Sequence, residues 1–445
     1  MKPLTIKEKI GFSIGEYAGS VIWQTLMFFL PIFYTDTFGL SAAAVGTMFL
    51  VIRLFDAVND PLMGTIADRT ETRWGKFRPY LLWFAVPYGV GTVLMFTTPE
   101  LSDTGKMVYA YATYGLMMVI YTGIMIPYNS LIGVISPKPG ERTSVSSYKF
   151  VFAYAAGASV QALIIPLVKK FGAGNSQRGY MITMGIFGAI CIACFIIAFL
   201  SVRERVQPDP SKKSKLKEDL DDLVHNGPWI VLFLLCLVTL IYVAIRSSVI
   251  MYYFKYYVGN TEAASAFMVT GTLFVLLGVL PTKWLSEKIG KKKLYIICMA
   301  VVTLSSSGFI LAGPDSIVLI YALQIIFSLA SGPTMPLLWS MLADVADYSE
   351  YKNDRRATGL VYSASTFSQK AGFSLGGVIS MGILSLFGYT AGVAQTDLSL
   401  LGIRLSLSVV PAVFAVIGMV LLFFYKLDDA TVLQIEAELA KRKAN

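Results

Sequence analysis

Residues 180–200 read YMITMGIFGAICIACFIIAFL, a run of 21 residues without a charged side chain. About 20 consecutive apolar residues allow an α-helix to cross the hydrocarbon core of a bilayer. Comparable runs recur along the chain, for example at residues 107–128 (MVYAYATYGLMMVIYTGIMIPY) and 405–425 (LSLSVVPAVFAVIGMVLLFFY). The sequence therefore predicts an all-α protein that crosses a membrane many times.

The composition supports the same fold class. Only 15% of the 445 residues are charged, 55% are hydrophobic and the mean hydropathy is +0.64, whereas soluble domains carry about 25% charged residues. The net charge of +9 comes from basic residues clustered between the apolar runs. That pattern is typical of membrane-protein loops, so the expected partner is the lipid bilayer and no nucleic acid is expected.

The apolar runs predict twelve membrane-spanning helices in two six-helix bundles. Their predicted ranges are 10–36, 42–67, 79–98, 107–132, 144–168, 179–202, 228–257, 263–286, 294–313, 317–345, 357–386 and 402–426. Most Lys and Arg residues fall in the N-terminal segment, the even-numbered loops and the C-terminal segment, while the odd-numbered loops hold Lys106, Lys169, Lys170 and Arg178. Because positive charge is retained in the cytoplasm, both termini are predicted to be cytoplasmic.

A charged, proline-containing linker divides the chain. The predicted parts are an N-terminal bundle at 1–203, a cytoplasmic linker at 204–227, a C-terminal bundle at 228–427 and a cytoplasmic tail at 428–445. The two bundles resemble each other, since GTIADRTETRWGKFRPYLL follows the second span and WLSEKIGKKKLYIICMA follows the eighth. Such six-by-six repeats are typical of transporters, which bind substrate between the halves.

Two acids lie inside the predicted second span, in residues 55–69, FDAVNDPLMGTIADR. Asp56 and Asp60 are four residues apart and so project from one helix face, with Asn59 beside them. Two carboxylates held together require either a proton on one of them or a cation between them. Thr122 on another span offers a further oxygen. The alternative is an ion pair of the acids with Arg53 or Lys149.

Five stretches carry a family resemblance that covers nearly the whole chain. They are FYTDTFGLS (33–41), RLFDAVNDPLMGTIADRTETRWGKFRPYLL (53–82), IPYNSLIGVIS (126–136), GERTSVSSYKF (140–150) and LADVADYSEYKNDRRATGLVYSASTFSQKAG (342–372). The chain resembles the glycoside–pentoside–hexuronide:cation symporters, the melibiose permease group of the major facilitator superfamily. The resemblance implies cation-coupled sugar transport by alternating access, with a coupling ion, Na⁺ or H⁺, and no other cofactor.

The resemblance also implies two sites. The cation would be held by Asp56, Asn59, Asp60 and Thr122, and the Asn59 oxygen favours Na⁺ over a proton. The sugar site would contain Glu16, Trp23, Gln24, Asn129, Lys149, Thr366 and Lys370.

The sugar site departs from the family at several positions. Met125 stands where melibiose permease has Asp, Asn129 where the family has an aromatic residue, and Lys149 where it has Arg. Lys149 and Lys370 would oppose Glu16, which is compatible with either a uronic acid or a neutral glycoside. Melibiose is therefore not carried over as the substrate.

Several charged residues are predicted to form ion pairs that gate the cytoplasmic side. They are Arg53, Asp68, Arg69, Arg78, Arg142 and Asp344. The protein is predicted to be a functional monomer and to lie in the inner (cytoplasmic) membrane. Other interpretations stay open: an uncoupled facilitator, a carrier of an amphiphilic solute, or a membrane sensor. An enzyme is not expected, because the sequence offers no catalytic or metal-ligand cluster and His225 lies in the linker.

Overall fold

The computed structural model describes residues 4–136, 139–205, 226–353 and 358–427, together with a few positions between 431 and 438. All regular elements in these ranges are helices. Most of the predicted linker and tail, including His225, lie outside the described residues. The side chains of Asp68, Arg142 and Thr366 also lie outside the described part of the chain.

The first structural unit comprises Met1–Pro210 with Thr261–Met268 and Thr390–Ala394. Its helices are α1 (Ile6–Phe28), α2 (Leu30–Ile32), α3 (Ala42–Arg69), α4 (Arg78–Trp83), α5 (Ala85–Met95), α6 (Asp103–Ile135), α7 (Pro139–Gly172) and α8 (Ser176–Ser201). Within this unit, α1 packs against α7 and α8, and α3 packs against α6.

The second unit comprises Ser211–Asn260, Val269–Tyr389 and Gln395–Asn445. The remaining helices are α9 (Gly227–Tyr252), α10 (Thr261–Val279), α11 (Thr282–Ile289), α12 (Lys291–Gly308), α13 (Ile317–Ser331), α14 (Thr334–Asn353), α15 (Thr358–Leu386), α16 (Asp397–Leu407) and α17 (Val409–Phe424). Helix α9 packs against α15 and α17, as α1 packs against α7 and α8 in the first unit. The same packing pattern thus recurs in both units.

Nine helices in the described residues are long and apolar enough to cross a membrane, or ten when the bent pair Ile6–Phe28 and Leu30–Thr37 counts as one span. The predicted third span differs from the structure because the helix breaks at Phe84, between α4 and α5. Pro87 has no N–H to donate to the carbonyl of Trp83, so the regular hydrogen-bond pattern of the helix is interrupted there. The predicted eighth span likewise ends early, since Pro281 separates α10 from α11.

The first helices of both units end in a widened, π-helical turn. These turns are Phe33–Thr37 after α2 and Tyr253–Val258 after α9. Each is followed by a glycine with positive φ, Gly39 at +88° and Gly259 at +74°. Such a φ is strained for residues with a Cβ. The two halves therefore share a π-helical turn followed by a glycine, as well as a packing pattern.

Candidate functional site

Helix α1 approaches α6 and α8 closely because glycines line one of its faces. A Cβ at Gly11 would lie 2.2 Å from the Cβ of Ser201. At Gly15 it would lie 2.7 Å from the ring of Tyr128, and at Gly19 it would lie 2.5 Å from the Met125 sulfur. Small residues spaced by four on one face of a membrane helix leave room for the side chains of neighbouring helices to approach its backbone. This spacing is visible in the sequence but was not part of the sequence prediction.

The close packing brings Glu16 of α1 next to residues of α6 and α7. The Lys149 Nζ lies 3.3 Å from Glu16 Oε2 and donates a 2.5 Å hydrogen bond to Asn129 Oδ1. Both side chains of the ion pair are largely buried, at 20% and 15% exposure. Three residues of the predicted sugar site therefore meet within the first unit.

The Glu16 carboxylate keeps acceptor capacity beyond this ion pair. Its Oε1 is 3.4 Å from the Ser20 hydroxyl, which donates to it. Its Oε2, the oxygen of the ion pair, is buried and accepts no hydrogen bond of good geometry from any described residue. A carboxylate oxygen placed in this way can accept a hydroxyl of a bound molecule.

Trp23 and Gln24 lie further along α1 and have protein neighbours. The Trp23 ring packs against Tyr121, with ring centroids 5.7 Å apart, and the Arg53 guanidinium lies 4.9 Å from the Trp23 ring centroid. The Gln24 side chain packs beside Gly157 of α7. Trp23 thus links α1, the helix of Glu16, to Arg53 on α3.

The predicted cation residues converge between α3 and α6. The Thr122 Oγ1 lies 3.0 Å from Asp56 Oδ1 and 3.0 Å from Asp60 Oδ1. Thr122 and Asp56 are almost fully buried, at 1% and 2% exposure. A single hydroxyl hydrogen can serve only one of these two carboxylate oxygens at a time. Pro61 cannot donate to the carbonyl of residue 57, so this turn of α3 also has a main-chain oxygen without its helical partner.

Two further groups border this cluster. Arg53 Nη1 is 3.9 Å from Asp56 Oδ2, one turn away on the same helix, so Asp56 has the basic neighbour that the ion-pair alternative requires. Lys149 instead pairs with Glu16. Asn59 Nδ2 is buried without an acceptor among the described residues.

The predicted gating residues are distributed over both units. In the second unit, Asp344 pairs with Lys291 at the start of α12, with Nζ to oxygen distances of 2.8 and 2.7 Å. In the first unit, the side chain of Arg69 is exposed. Arg78 donates from Nε to the Phe199 carbonyl at 2.7 Å. Burial, followed by the charge of Arg203, lowers the pKa of Arg78 from its usual value.

The sequence prediction missed the role of Glu204 beside Arg78. The Glu204 carboxylate accepts hydrogen bonds from the main-chain N–H groups of Lys76, Phe77 and Arg78, at 2.9, 2.7 and 2.9 Å. These groups are the unpaired donors at the start of α4, where a negative charge is stabilising. Gly75, at φ +110°, fits against the same carboxylate. Glu204 therefore fixes the loop between α3 and α4.

In the second unit, Lys370 lies half-buried on α15, next to Gln369, whose Nε2 is buried with no acceptor among the described residues.

A second cluster, absent from the sequence prediction, surrounds the buried Arg246 of α9. Its Nη1 donates to the Leu407 carbonyl at 2.9 Å, and its Nη2 donates to Gln324 Oε1 at 2.8 Å. The guanidinium also lies 3.8 Å from the ring centroid of Phe327. No carboxylate of the described residues forms an ion pair with the Arg246 guanidinium.

Comparison with known proteins places this architecture in a family. The family described as MFS/sugar transport protein matches residues 11–429. The chain belongs to this family, which lies within the major facilitator superfamily and consists of membrane transporters rather than enzymes. It is a multi-pass membrane protein.

Curated relatives match along almost their full length. The chain is 36% identical to the candidate glycoside/cation symporter YagG of Escherichia coli (strain K12), covering 100% of this chain and 97% of that protein. It is 36% identical to an isoprimeverose transporter of Lactiplantibacillus pentosus, covering 95% and 88%. It is 33% identical to the inner membrane symporter YicJ of Escherichia coli (strain K12), covering 99% and 96%. The relatives thus include sugar transporters and cation symporters.

A solved structure supports the fold. The bacterial homologue of the human lysosomal transporter Spinster, in an inward-facing and unoccupied conformation, superposes with a TM-score of 0.71 at 16% identity. The match covers 97% of each chain. The fold is that of the major facilitator superfamily.

Proposed function

We propose that the protein is a symporter that couples the movement of a sugar to one monovalent cation, Na⁺ in preference to H⁺, by alternating access. Membership of a family with glycoside/cation symporters supports coupled sugar transport. The observation that carries the cation site is the position of Thr122 Oγ1, 3.0 Å from both Asp56 and Asp60.

The charge balance of the cluster supports a single cation. Arg53, 3.9 Å from Asp56, offsets one of the two carboxylates. The set of Asp56, Asp60 and Arg53 carries one net negative charge, and one bound monovalent cation would bring that charge to zero. Oxygens of Asp56, Asp60, Asn59 and Thr122 offer the ligands that a hard cation such as Na⁺ prefers.

Arg53 couples the cation site to the sugar site. It contacts Asp56 on one side and the Trp23 ring of α1 on the other, and α1 also carries Glu16. A cation that binds Asp56 weakens the hold of that carboxylate on Arg53, and the change reaches α1 through Trp23. By linkage, a cation that strengthens sugar binding is itself held more strongly when the sugar is bound.

The wider arrangement is proposed on the same basis. Twelve spans would form bundles at 1–203 and 228–427, joined by a cytoplasmic linker at 204–227, with both termini cytoplasmic. Thr366 and Lys370 would complete the sugar site, and the Asp344–Lys291 pair would belong to the cytoplasmic gate. The protein would act as a monomer in the inner membrane, the location that the name of its relative YicJ gives.

Uptake into proteoliposomes tests the function. The purified protein is reconstituted and offered labelled glycosides, pentosides and uronides under an inward Na⁺ gradient, an inward pH gradient or no gradient. We expect accumulation of at least one sugar driven by Na⁺. Asp60→Asn should abolish accumulation but leave the protein folded, whereas Asp103→Asn, at an exposed position in the first turn of α6, should accumulate sugar normally. Accumulation by the Asp60 variant at the wild-type level would refute the cation site.

A further inference from the structure

We infer that the cluster of Glu16, Lys149 and Asn129 makes the sugar site selective for uncharged sugars over sugars that carry a carboxylate. This inference rests on the proposed function, since it assigns the sugar class to the same site. It addresses a choice that the residue types left open, because Lys149 by itself is compatible with either class.

The Lys149 ammonium group already has partners within the first unit. Lys149 Nζ lies 3.3 Å from Glu16 Oε2 and 2.5 Å from Asn129 Oδ1. It also lies 5.6 Å from the ring centroid of Tyr128, on whose face a cation is favoured. A sugar carboxylate that approached Lys149 would meet the Glu16 carboxylate at the same place. Like charges in one site suppress the wrong ligand.

The other ionisable groups of the first-unit site do not supply a spare positive charge. Arg53 lies beside Asp56 at 3.9 Å, and Asp60 is a further acid that contacts Thr122. With Glu16 and Lys149 included, three acids face two bases. One bound monovalent cation brings this set to neutrality, which suits a neutral cargo.

The Glu16 carboxylate also favours a neutral sugar. Its Oε2 is buried and, although it lies 3.3 Å from Lys149 Nζ, it accepts no hydrogen bond of good geometry from the described residues. A sugar hydroxyl can donate to this oxygen, whereas an ionised carboxylate has no hydrogen to donate. The cluster therefore offers a hydrogen-bond acceptor to a sugar hydroxyl, whereas an acid group placed there meets the Glu16 charge, which offsets the attraction of Lys149.

The experiment compares matched sugars that differ only at C6. Counterflow into proteoliposomes at pH 7 is measured for methyl β-glucoside against methyl β-glucuronide, and for cellobiose against cellobiouronic acid. For the wild-type protein, we expect the neutral member of the transported pair to be preferred by about tenfold or more. Equal or better transport of the acidic member would overturn the inference.

Substitution of Glu16 tests the cause. Glu16→Gln removes the competing charge but leaves Lys149 in place, so the neutral-to-acidic ratio should fall by about fivefold or more. Glu16→Asp keeps the charge and should keep the preference for the neutral sugar. An unchanged ratio in Glu16→Gln would overturn the inference. If that variant does not fold, the ability of the uronide to inhibit neutral-sugar counterflow in the wild type decides, since inhibition at equal concentrations contradicts the selectivity.

Failure of this inference can be distinguished from failure of the proposed function. A wild-type protein that moves uronides in preference to neutral sugars is still a sugar transporter with the opposite selectivity. A wild-type protein that moves no sugar of either class, although folded and reconstituted, refutes the proposed function and this inference with it. Lys370, in the second unit, is unaltered in all these variants, so a change in ratio is attributable to Glu16.

Discussion

Arg246 donates a 2.9 Å hydrogen bond to the main-chain carbonyl of Leu407, the carbonyl that lacks its helical partner because residue 411 is proline. A buried carbonyl without a donor is costly in a membrane interior. The bond therefore allows the chain to break between α16 and α17 inside the second unit. Ser306 lies 3.4 Å from the same carbonyl and adds a weaker contact.

Loss of this arginine should destabilise the second unit. Arg246→Met leaves the Leu407 carbonyl and the Gln324 amide without their main donor, and the free energy of unfolding should fall by about 1–3 kcal/mol. The melting temperature in detergent measures the effect. Arg178→Met, at an exposed position near the start of α8, is the control and should melt as the wild type does.

A second substitution tests the reason for that loss. Pro411→Ala restores an N–H that can donate to the Leu407 carbonyl, so it should recover about 1 kcal/mol in the Arg246→Met background. In the wild type it should recover less, because the carbonyl is already paired. Additive effects in this double-mutant cycle would contradict the proposed relationship.

The Thr122 hydroxyl should determine how strongly the cation is bound. Thr122→Ala removes the oxygen that lies 3.0 Å from both acids. The Na⁺ concentration that half-activates sugar uptake should rise by about five- to tenfold, which corresponds to the loss of one polar interaction. Thr122→Ser keeps the oxygen and should stay within about twofold of the wild type. Equal activation curves for the two variants would show that the hydroxyl does not bind the cation.

Gly376 should be essential for the packing of α15 against α9. A Cβ at this position would lie 2.6 Å from the Ile241 carbonyl oxygen and 2.6 Å from the Ala244 Cβ. Gly376→Ala should therefore lower the free energy of unfolding by about 1–3 kcal/mol. Gly382, on the same helix, has no atom within 4 Å of its Cβ position, so Gly382→Ala should be neutral or stabilise by up to about 1 kcal/mol. Both are measured by thermal unfolding in detergent, and a less stable Gly382→Ala variant would contradict the packing argument.

Glu204 should protect the main chain of the loop between α3 and α4. Glu204→Gln replaces one acceptor oxygen with an NH2 group, which cannot accept, so at least one of the three N–H bonds is lost. Amide hydrogen exchange at residues 76–78 should accelerate, and stability should fall by about 1–3 kcal/mol. Glu287→Gln, at an exposed position on α11, should leave both unchanged. Slow exchange in the Glu204 variant would mean that other contacts hold the loop.

The sequence predicted the membrane fold and the family because those signals are local and redundant. Long uncharged runs require helices wherever they occur, and the motif around Asp56 and Asp60 is specific. Thr122 could be placed near these acids only through the family resemblance, since nothing in its own neighbourhood of the sequence indicates a cation ligand. The structure brings the three side chains together, and their role stays a prediction.

Other features depend on contacts between distant segments, which hydropathy does not encode. The break at Phe84 follows from Pro87, yet a proline near a helix start is also compatible with an unbroken span. Glu204 appears in the sequence as one acid of a charged linker, and only the folded chain shows which N–H groups it accepts. The glycines at positions 11, 15 and 19 carried a visible signal, because their regular spacing marks a close helix approach.

The carboxylate of Glu204 holds its loop through main-chain N–H groups and not through side chains. The bend itself therefore requires only an N–H at each of residues 76–78, which excludes proline, whereas the side chains of Phe77 and Arg78 are constrained separately, by burial and by the bond to the Phe199 carbonyl. A side chain at position 75 would collide with the carboxylate, since a Cβ there would lie 2.4 Å from the Glu204 carboxyl carbon, so the acid and the neighbouring glycine should change only together.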